Sequence, residues 1–359
     1  MDLRDYGWNE NLSAQFEPYA GRGLVPARVV KQSRDRSTLV TPLGELESEV
    51  SGKFRYLAAN HADFPVVGDW AAIEPAGENL AIIHTILPRR SAFSRKVAGD
   101  IVEAQVAAAN VDTVFLISGL DGDFNLRRIE RYLTTAWASG AEPIIVLNKA
   151  DLCPDLRNVI VGVESVAPGV PVVAVSAKVE GGAKGLDPFL IPGKTVALLG
   201  SSGVGKSTLI NRLLGEERLR TAPMSDAAEG RGRHTTTERE LVRLPGGALL
   251  IDTPGMRELQ LWTDEASLDR TFDDIDRLAA RCRFPNCTHE REPGCAVRAA
   301  VEAGALGRQR LESFFKLRRE LRFMQLKRDV KARRQQEKAA GRRFAAQLKE
   351  IKKRKPRYR

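Results

Sequence analysis

The sequence predicts a multidomain chain: an N-terminal β-barrel, a central α/β domain with a mostly parallel sheet, and a C-terminal zinc-binding and helical domain. Three observations carry this prediction. Short apolar runs are split by turn residues over 24–92, strands and helices alternate over 93–264, and three cysteines and a histidine cluster within 265–330. Short, closely spaced strands are typical of small barrels, whereas strand–helix alternation is typical of parallel sheets.

Positive charge is concentrated at the C-terminal end. The 359 residues include 56 Lys and Arg against 46 Asp and Glu, a net charge of +10. Residues 316–359 hold 19 basic and four acidic side chains, so this stretch carries +15 and the first 315 residues carry −5. A basic block on an acidic body favours a polyanionic partner such as nucleic acid; a merely solubilising tail is the alternative. We expect residues 331–359 to form a basic tail, as a frayed helix or without regular structure.

The composition argues against several classes of protein. No run approaches the roughly 18 apolar residues that a membrane span needs. The polar, acidic N-terminal residues do not resemble a secretory signal. Four cysteines are too few for a disulfide scaffold. We therefore expect a cytoplasmic protein that contacts no membrane, and we expect it to be a monomer.

The N-terminal part predicts an arm followed by a barrel. Residues 1–23 combine polar and scattered aromatic side chains without a period, so we expect a mobile arm. Within residues 24–92 the apolar runs lie at 25–30, 37–40, 66–73 and 80–87. An OB-fold barrel fits this spacing, although periodicity alone leaves an SH3-like barrel open.

Residues 93–264 predict the α/β domain. The continuous apolar run at 111–118 is typical of a strand buried on both faces. Residues 126–139 predict a helix because Ile129 and Leu133 fall on one apolar stripe. Further strands are expected at 143–147, 171–175, 195–199 and 248–251. Beyond this domain, apolar residues at three-and-four spacing predict a packed helix in the segment 311–324.

A glycine-rich loop between a predicted strand and a predicted helix fits the pattern G-x-x-x-x-G-K-S/T. Its residues are Gly200, Ser201, Ser202, Gly203, Val204, Gly205, Lys206 and Ser207, and Thr208 follows on the helix. Glycines let successive backbone N–H groups face phosphate oxygens, and the helix N-terminus adds positive potential. We expect Lys206 to neutralise the β- and γ-phosphates and Ser207 to bind Mg²⁺.

Two further motifs predict that the base is guanine. The N-K-x-D motif follows a predicted strand at Asn148, Lys149, Ala150 and Asp151, and the next loop carries Ser176, Ala177 and Lys178. The Asp151 carboxylate can accept hydrogen bonds from both N1–H and the N2 amine of guanine. Adenine offers neither donor in that geometry, so its binding would leave a buried acceptor unpaired.

A D-x-x-G motif, Asp252 to Gly255, comes about 45 residues after the glycine-rich loop. We expect Asp252 to hold Mg²⁺ through water and the Gly255 N–H to sense the γ-phosphate. In the loop between the two motifs, Thr236, and after it Thr235, is the candidate ligand of Mg²⁺ and γ-phosphate. In most GTPases the phosphate loop precedes N-K-x-D; here it follows, which is a circular permutation that leaves the switch motifs beside the Cys/His segment.

The residue after D-x-x-G is Met256, where many GTPases place a water-orienting glutamine. A thioether cannot orient water, so hydrolysis is slow or another group supplies the function. His234 is the candidate general base, with a solvated loop histidine as the alternative. We predict slow intrinsic turnover that a partner accelerates by ordering this loop.

The C-terminal segment predicts one structural zinc ion. Cys282, Cys287, His289 and Cys295 supply three thiolates and one imidazole, a closed tetrahedral set for Zn²⁺. Because so short a loop cannot bury a core, we expect the metal to hold it together. Unrelated buried cysteines are the alternative, and Cys153 is expected to be an ordinary core or loop residue.

Taken together, these motifs resemble the ribosome small-subunit-dependent GTPase A family (RsgA, also called YjeQ), and the likeness extends over nearly the whole chain. The resemblance implies an OB fold, a permuted GTPase domain and a zinc domain. It implies a bacterial factor of late 30S subunit assembly that uses GTP, GDP and Mg²⁺. It also implies stimulation by the subunit, contact with 16S rRNA, release of other assembly factors, and a catalytic histidine that maps onto His234.

Two other functions stay open at this stage. A non-enzymatic RNA-binding scaffold with a vestigial nucleotide site is favoured by Met256 but opposed by the intact nucleotide motifs. An ATP-dependent kinase is opposed by the N-K-x-D motif. GTP turnover with and without purified 30S subunits separates the first two functions, and equal affinity for ATP and GTP would revive the third.

Overall fold

The computed structural model describes residues 1–33, 36–96, 104–122, 124–216, 239–252 and 264–327. Within these ranges, no helix combines the length and the apolar character needed to cross a bilayer. The predicted succession of barrel, α/β domain and C-terminal helical segment is confirmed.

The N-terminal barrel consists of five strands. They are β1 (Val25–Gln32), β2 (Ser37–Thr41), β3 (Gly44–Val50), β4 (Trp70–Pro75) and β5 (Leu80–Ile86). The strands pair in the order β1-β2-β3-β5-β4, and β4 pairs back onto β1, so the sheet closes. β3 and β5 run parallel and the other pairs antiparallel, with a short helix after β3. This Greek-key connectivity is that of an OB fold and decides against the SH3-like alternative.

Residues 1–23 are folded, in contrast to the mobile arm expected there. They form a 3₁₀ helix (Leu3–Tyr6) and helix α1 (Glu10–Ala20). Leu3 and Phe16 are buried, and Trp8 lies edge-on to Trp70 of the barrel, with ring centroids 4.9 Å apart. The scattered aromatic side chains are therefore packing anchors. They pack against one another as well as against the barrel, since Phe16 contacts both Trp8 and Tyr19.

A β-hairpin joins the barrel to the α/β domain. Helix α2 (Gly52–Leu57) lies within the barrel, between β3 and β4, whereas the hairpin of β6 (Ala92–Lys96) and β7 (Ala104–Ala109) follows β5. The sequence pattern did not predict this hairpin. Barrel strand β1 also pairs with an edge strand of the α/β sheet, so a single eleven-stranded sheet runs through both domains.

The α/β sheet has six strands. They are β8 (Thr113–Gly119), β9 (Glu142–Asn148), β10 (Val172–Ala174), β11 (Thr195–Leu199), β12 (Arg239–Arg243) and β13 (Leu249–Asp252). The order is β10-β9-β8-β11-β13-β12, and all neighbours are parallel except β12 and β13. Parallel strands place their carboxyl ends at one edge of a sheet, where open α/β sheets bind ligands.

Arg28 of β1 lies at the interface between the two domains. It is 2% exposed, and its Nη2 atom donates to Thr195 Oγ1 at 2.7 Å. Another guanidinium nitrogen donates to the Tyr6 carbonyl oxygen of the N-terminal 3₁₀ helix. Burial lowers the pKa of Arg28 to about 10, and the nearby Asp112 carboxylate opposes this shift. One buried side chain therefore links the N-terminal segment, the barrel and the α/β domain.

The helices after β8 and β11 lie where the sequence predicts them, whereas the helix after β9 was not predicted. Helix α3 (Leu126–Ser139) begins at the cap residue Asn125, whose side chain accepts from two backbone N–H groups, and ends at Gly140, with φ of +82°. Helices α4 (Leu156–Val166) and α5 (Lys206–Leu214) follow β9 and β11. Ile129 and Leu133 of α3 are buried against the sheet, as their spacing predicts.

The C-terminal segment packs around its own apolar core. Its helices are α6 (Glu265–Thr271), α7 (Asp273–Ala279), α8 (Ala296–Glu302) and α9, described over 308–327. Leu311, Phe314, Leu317 and Leu321 of α9 are buried with Phe272, so the predicted helix is confirmed. The tail expected at 331–359 lies outside the described residues.

Candidate nucleotide and metal sites

The glycine-rich loop connects the carboxyl end of β11 to α5. Gly203 and Gly205 have φ of +81° and +95°, a backbone region that glycine adopts at little cost. A Cβ atom on Gly200 would lie 2.5 Å from the Ile117 carbonyl oxygen. One on Gly205 would lie 2.3 Å from Asn148 Nδ2. Both backbone conformation and close packing therefore require glycine in this loop.

Lys206 is buried at the start of α5. Its Nζ atom donates to the Gly200 carbonyl oxygen at 2.6 Å and also contacts the Ser201 carbonyl oxygen. The ammonium group thus lies in the concave side of the loop, where phosphate oxygens would compete for it. Around it, Ser202 is exposed, Val204 is buried, and Ser207 and Thr208 are half-buried on the first turn of α5.

Asn148 joins three of the predicted loops. It is 2% exposed at the end of β9. Its Nδ2 donates to the Val204 carbonyl oxygen at 2.8 Å, and its Oδ1 accepts from the Ala177 backbone N–H at 3.1 Å. One side chain therefore ties the N-K-x-D loop to the glycine-rich loop and to the Ser176–Lys178 loop.

Lys149 adds a second link to the glycine-rich loop. It has a left-handed backbone, with φ of +64°, and its Nζ atom donates to the Gly203 carbonyl oxygen at 2.8 Å. The same ammonium group forms an ion pair with Asp121. Sequence reasoning missed Asp121, although its place after the buried strand β8 is a usable signal for a residue at the ligand-binding edge.

Asp151 lies at the outer end of this assembly, and the residue is exposed. Its backbone N–H donates to Ser176 Oγ at 3.1 Å, which holds the two base-recognition loops together. Lys178 is exposed beside them, and Ala177 is buried. The arrangement leaves a polar, solvent-facing edge next to the phosphate loop, which suits a purine base.

Helix α3 supplies two contacts that the sequence pattern did not predict. Arg128 Nη1 donates to Ser201 Oγ at 2.8 Å, and the Tyr132 hydroxyl lies 3.1 Å from the same oxygen. Both side chains are half-buried, one helical turn apart. No local motif marks them, because the contact joins residues about 70 positions apart in the chain.

The D-x-x-G motif begins at the same edge of the sheet. β13 is the parallel neighbour of β11, with Ala197 opposite Ile251, so Asp252 ends its strand beside the glycine-rich loop. The Asp252 side chain lies outside the described part of the structure, as do Gly255, His234, Thr235 and Thr236.

The predicted zinc ligands converge in the C-terminal segment. The ligand atoms of Cys282, Cys287, His289 and Cys295 all lie within 4.8 Å of one another. His289 Nδ1 is 3.6 Å from Cys282 Sγ and 3.5 Å from Cys295 Sγ, and these two sulfurs are 3.9 Å apart. Zinc–ligand bonds of usual length in a tetrahedron imply edges of about 3.6 Å and 3.8 Å. The donor set and its spacing are therefore compatible with one zinc ion.

Fold and motifs together define a GTP hydrolase of the P-loop class with circularly permuted motifs. The family model described as RsgA GTPase matches residues 86–262. "Small ribosomal subunit biogenesis GTPase RsgA" from Opitutus terrae is 52% identical over 330 residues, which cover 89% of this chain and 90% of the relative. "Small ribosomal subunit biogenesis GTPase RsgA 2" from Lactiplantibacillus plantarum is 47% identical and covers 91% of both chains.

A solved structure agrees with these relatives. The crystal structure of YjeQ from Thermotoga maritima superimposes with a TM-score of 0.62 at 27% identity, over 83% of this chain and 98% of that one. This chain therefore belongs to the RsgA GTPase family.

Proposed function

We propose that the protein hydrolyses GTP to GDP and phosphate on the 30S ribosomal subunit, that the subunit stimulates hydrolysis, and that the protein assists late subunit maturation and release of assembly factors. The observation that supports this proposal most strongly is the Asn148 side chain, which binds both the phosphate loop and the base-recognition loop. The relatives named for small-subunit biogenesis share about half of its residues over most of its length.

In the bound state, each loop takes one part of the nucleotide. The Asp151 carboxylate accepts from the guanine N1–H and N2 amine, since it carries two acceptor oxygens and belongs to an exposed residue beside the Ser176 loop. Lys206 exchanges its carbonyl contacts for β- and γ-phosphate oxygens. Ser207, Asp252 and Thr236, with Thr235 as the second choice, would hold Mg²⁺, which would supply positive charge at the phosphates.

Hydrolysis depends on a residue other than the usual glutamine, since Met256 occupies that position. His234 orients or deprotonates the attacking water when the subunit orders its loop. We therefore expect turnover to be slow in the free protein and to rise on the subunit.

The zinc ion has a structural role. Cys282, Cys287, His289 and Cys295 would hold it as four protein ligands, and this would cross-link the turn that precedes α8. The ion also joins this turn to the core of the C-terminal domain, because Cys295 is buried against that core.

Three parts of the chain contact 16S rRNA in the cytoplasm. They are the barrel over 24–92, the zinc and helical domain over 265–330, and the basic tail over 331–359. The N-terminal arm (1–23) precedes the barrel, and the GTPase domain (93–264) lies between the barrel and the zinc domain. The +15 charge of residues 316–359 favours the phosphate backbone.

The test is GTP turnover by the purified protein with and without 30S subunits, with 50S subunits as the control. We expect turnover to rise only with 30S subunits and Lys206→Ala to abolish the rise. A wild-type rate that 30S subunits leave unchanged would contradict the proposal. It would favour the second candidate, a non-enzymatic RNA-binding scaffold, which Met256 supports.

A further inference from the structure

Helix α3 contacts the phosphate loop on one side. Arg128 and Tyr132 are four residues apart and therefore share a face of the helix. Both reach Ser201 Oγ, at 2.8 Å and 3.1 Å. The carbonyl oxygen of Ser201 in turn accepts from Lys206 Nζ. Two side chains of α3 thus bind Ser201, and Ser201 in turn binds the phosphate-binding residue Lys206.

The same helix contacts the C-terminal domain on another side. Glu130 Oε1 accepts from Arg310 Nη1 at 3.0 Å, and Thr134 Oγ1 donates to Thr271 Oγ1 at 3.0 Å. Nearer the surface, Arg131 Nη2 donates to Glu320 of α9 at 2.8 Å. These residues interleave along the chain with the pair that holds Ser201. Any shift of α3 against the C-terminal domain therefore also shifts Arg128 and Tyr132.

Arg310 makes the attachment rigid. Its guanidinium also donates to both carboxylate oxygens of Asp274, at 2.6 Å and 2.7 Å, and to the Thr271 carbonyl oxygen at 3.0 Å. Arg310 is 5% exposed and Glu130 is fully buried. Separating Glu130 from Arg310 is costly even though Glu130 also pairs with Arg127 and Arg310 with Asp274, because the charges are buried and water cannot replace the lost contact. We therefore expect the C-terminal domain and α3 to move together, because this contact stays intact.

We propose that α3 is the positioning element of the phosphate loop. Arg128 and Tyr132 are positioning residues that fix the position of Ser201 and, through it, that of Lys206. The C-terminal domain in turn fixes the position of α3. The coupling of this route to a docked ribosomal subunit rests on the function proposed above. The positioning of Lys206 by α3 stands on the described contacts alone.

The loop side is tested by a double-mutant cycle in the full-length protein without ribosomal subunits. Tyr132→Phe and Ser201→Ala each remove one partner of the same contact. We expect Tyr132→Phe to lower the single-turnover rate of bound GTP about 3- to 10-fold, the value of one hydrogen bond, and Ser201→Ala to lower it at least as much, because it also removes the Arg128 contact. GDP affinity should change less than about twofold, since base recognition is untouched. Because both variants break one contact, the double variant should be no slower than the slower single variant.

The domain side is tested by charge exchange at the partly exposed pair of Arg131 and Glu320. We expect Arg131→Glu and Glu320→Arg each to lower the same single-turnover rate by about 3-fold, because like charges then face each other across the contact. The exchanged double variant restores the pair and should recover most of the loss. Tyr19→Phe on α1 is the control and should match the wild type.

Two results would overturn the inference. One is additive losses for Tyr132→Phe and Ser201→Ala, which would show that they act separately. The other is charge-reversed variants that hydrolyse GTP as the wild type does, which would show that the C-terminal domain does not set α3. Melting curves identify any variant that fails to fold, and the exchanged pair and Tyr132→Phe preserve the packing volume. All of these rates are measured without ribosomal subunits, so they are independent of the proposed partner.

Discussion

The Nδ2 atom of Asn148 lies 2.8 Å from the carbonyl oxygen of Val204, so the residue that begins the base-recognition motif also supports the phosphate loop. The two residues are 56 positions apart, and the N-K-x-D motif, which follows the phosphate loop in most GTPases, here precedes it. Circular permutation has therefore changed the order of the loops along the chain without separating them in space.

Loss of the Asn148 side chain should damage stability and nucleotide binding together. Asn148→Ala leaves the Val204 carbonyl and the Ala177 N–H buried without their partner, which costs about 2–4 kcal/mol. We expect a lower melting temperature and a GDP affinity at least about tenfold weaker by calorimetry. Asn158→Ala on the exposed face of α4 is the matched control. Unchanged GDP affinity in Asn148→Ala would show that the loops do not depend on this link.

Zinc content should depend on the clustered cysteines alone. Elemental analysis should find one zinc ion per wild-type chain and close to none in Cys287→Ser, because zinc needs all four ligands of a structural site. Cys153→Ser, outside the cluster, should keep the full content. Chelation should lower the melting temperature of the wild type, since metal binding contributes to folding of so short a turn. A wild-type chain purified without zinc that melts normally would contradict the structural role.

The basic tail should control the salt dependence of subunit binding. Each phosphate contact adds roughly 0.7–0.9 to the slope of log K against log salt concentration. A chain that ends at Val330 loses the most basic stretch, so its slope should be shallower by several units than that of the full chain. The slopes are measured by filtration binding to 30S subunits. Equal slopes for the two chains would show that the tail does not contact the RNA.

His234 should act on hydrolysis and not on binding. Replacement by alanine should lower the subunit-stimulated rate by about 10²-fold or more, the usual contribution of a general base. GDP affinity should stay within about twofold of the wild type, since the histidine acts only on the attacking water. Asn158→Ala, on the exposed face of α4, is the control. If His234→Ala keeps the stimulated rate at saturating 30S subunits, another group activates the water.

Local sequence signals predicted most of the fold. The bounds of α3 follow from its apolar stripe, its Asn125 cap and Gly140, all of which lie within one segment. Strand β3 was missed because its sequence, Gly44–Val50, places few apolar residues among charged ones. β12 was missed for the same reason, since Arg239–Arg243 holds two apolar residues among charged ones, and its pairing with both β13 and β1 is a long-range contact. The N-terminal helices were missed because tertiary contacts, not periodicity, hold their aromatic residues.

Local motifs likewise predict only part of the candidate site. Its glycine, lysine and asparagine positions carry local motifs, and the structure brings three of the four predicted loops into direct hydrogen-bonded contact. The links from Asp121 to Lys149 and from Arg128 to Ser201 join segments that no motif connects. Only a three-dimensional arrangement could predict them.

Calorimetry of guanine-nucleotide binding is the decisive test of whether Asp151 recognises the guanine base. The wild type should bind one GDP per chain and discriminate strongly against xanthosine diphosphate, because the Asp151 carboxylate pairs with two guanine donors. Asp151→Asn should lose about 10²-fold in GDP affinity and gain affinity for xanthosine diphosphate, whose C2 oxygen accepts from the new amide. A wild-type chain that takes up no GDP, or that binds the two diphosphates equally, would contradict the account.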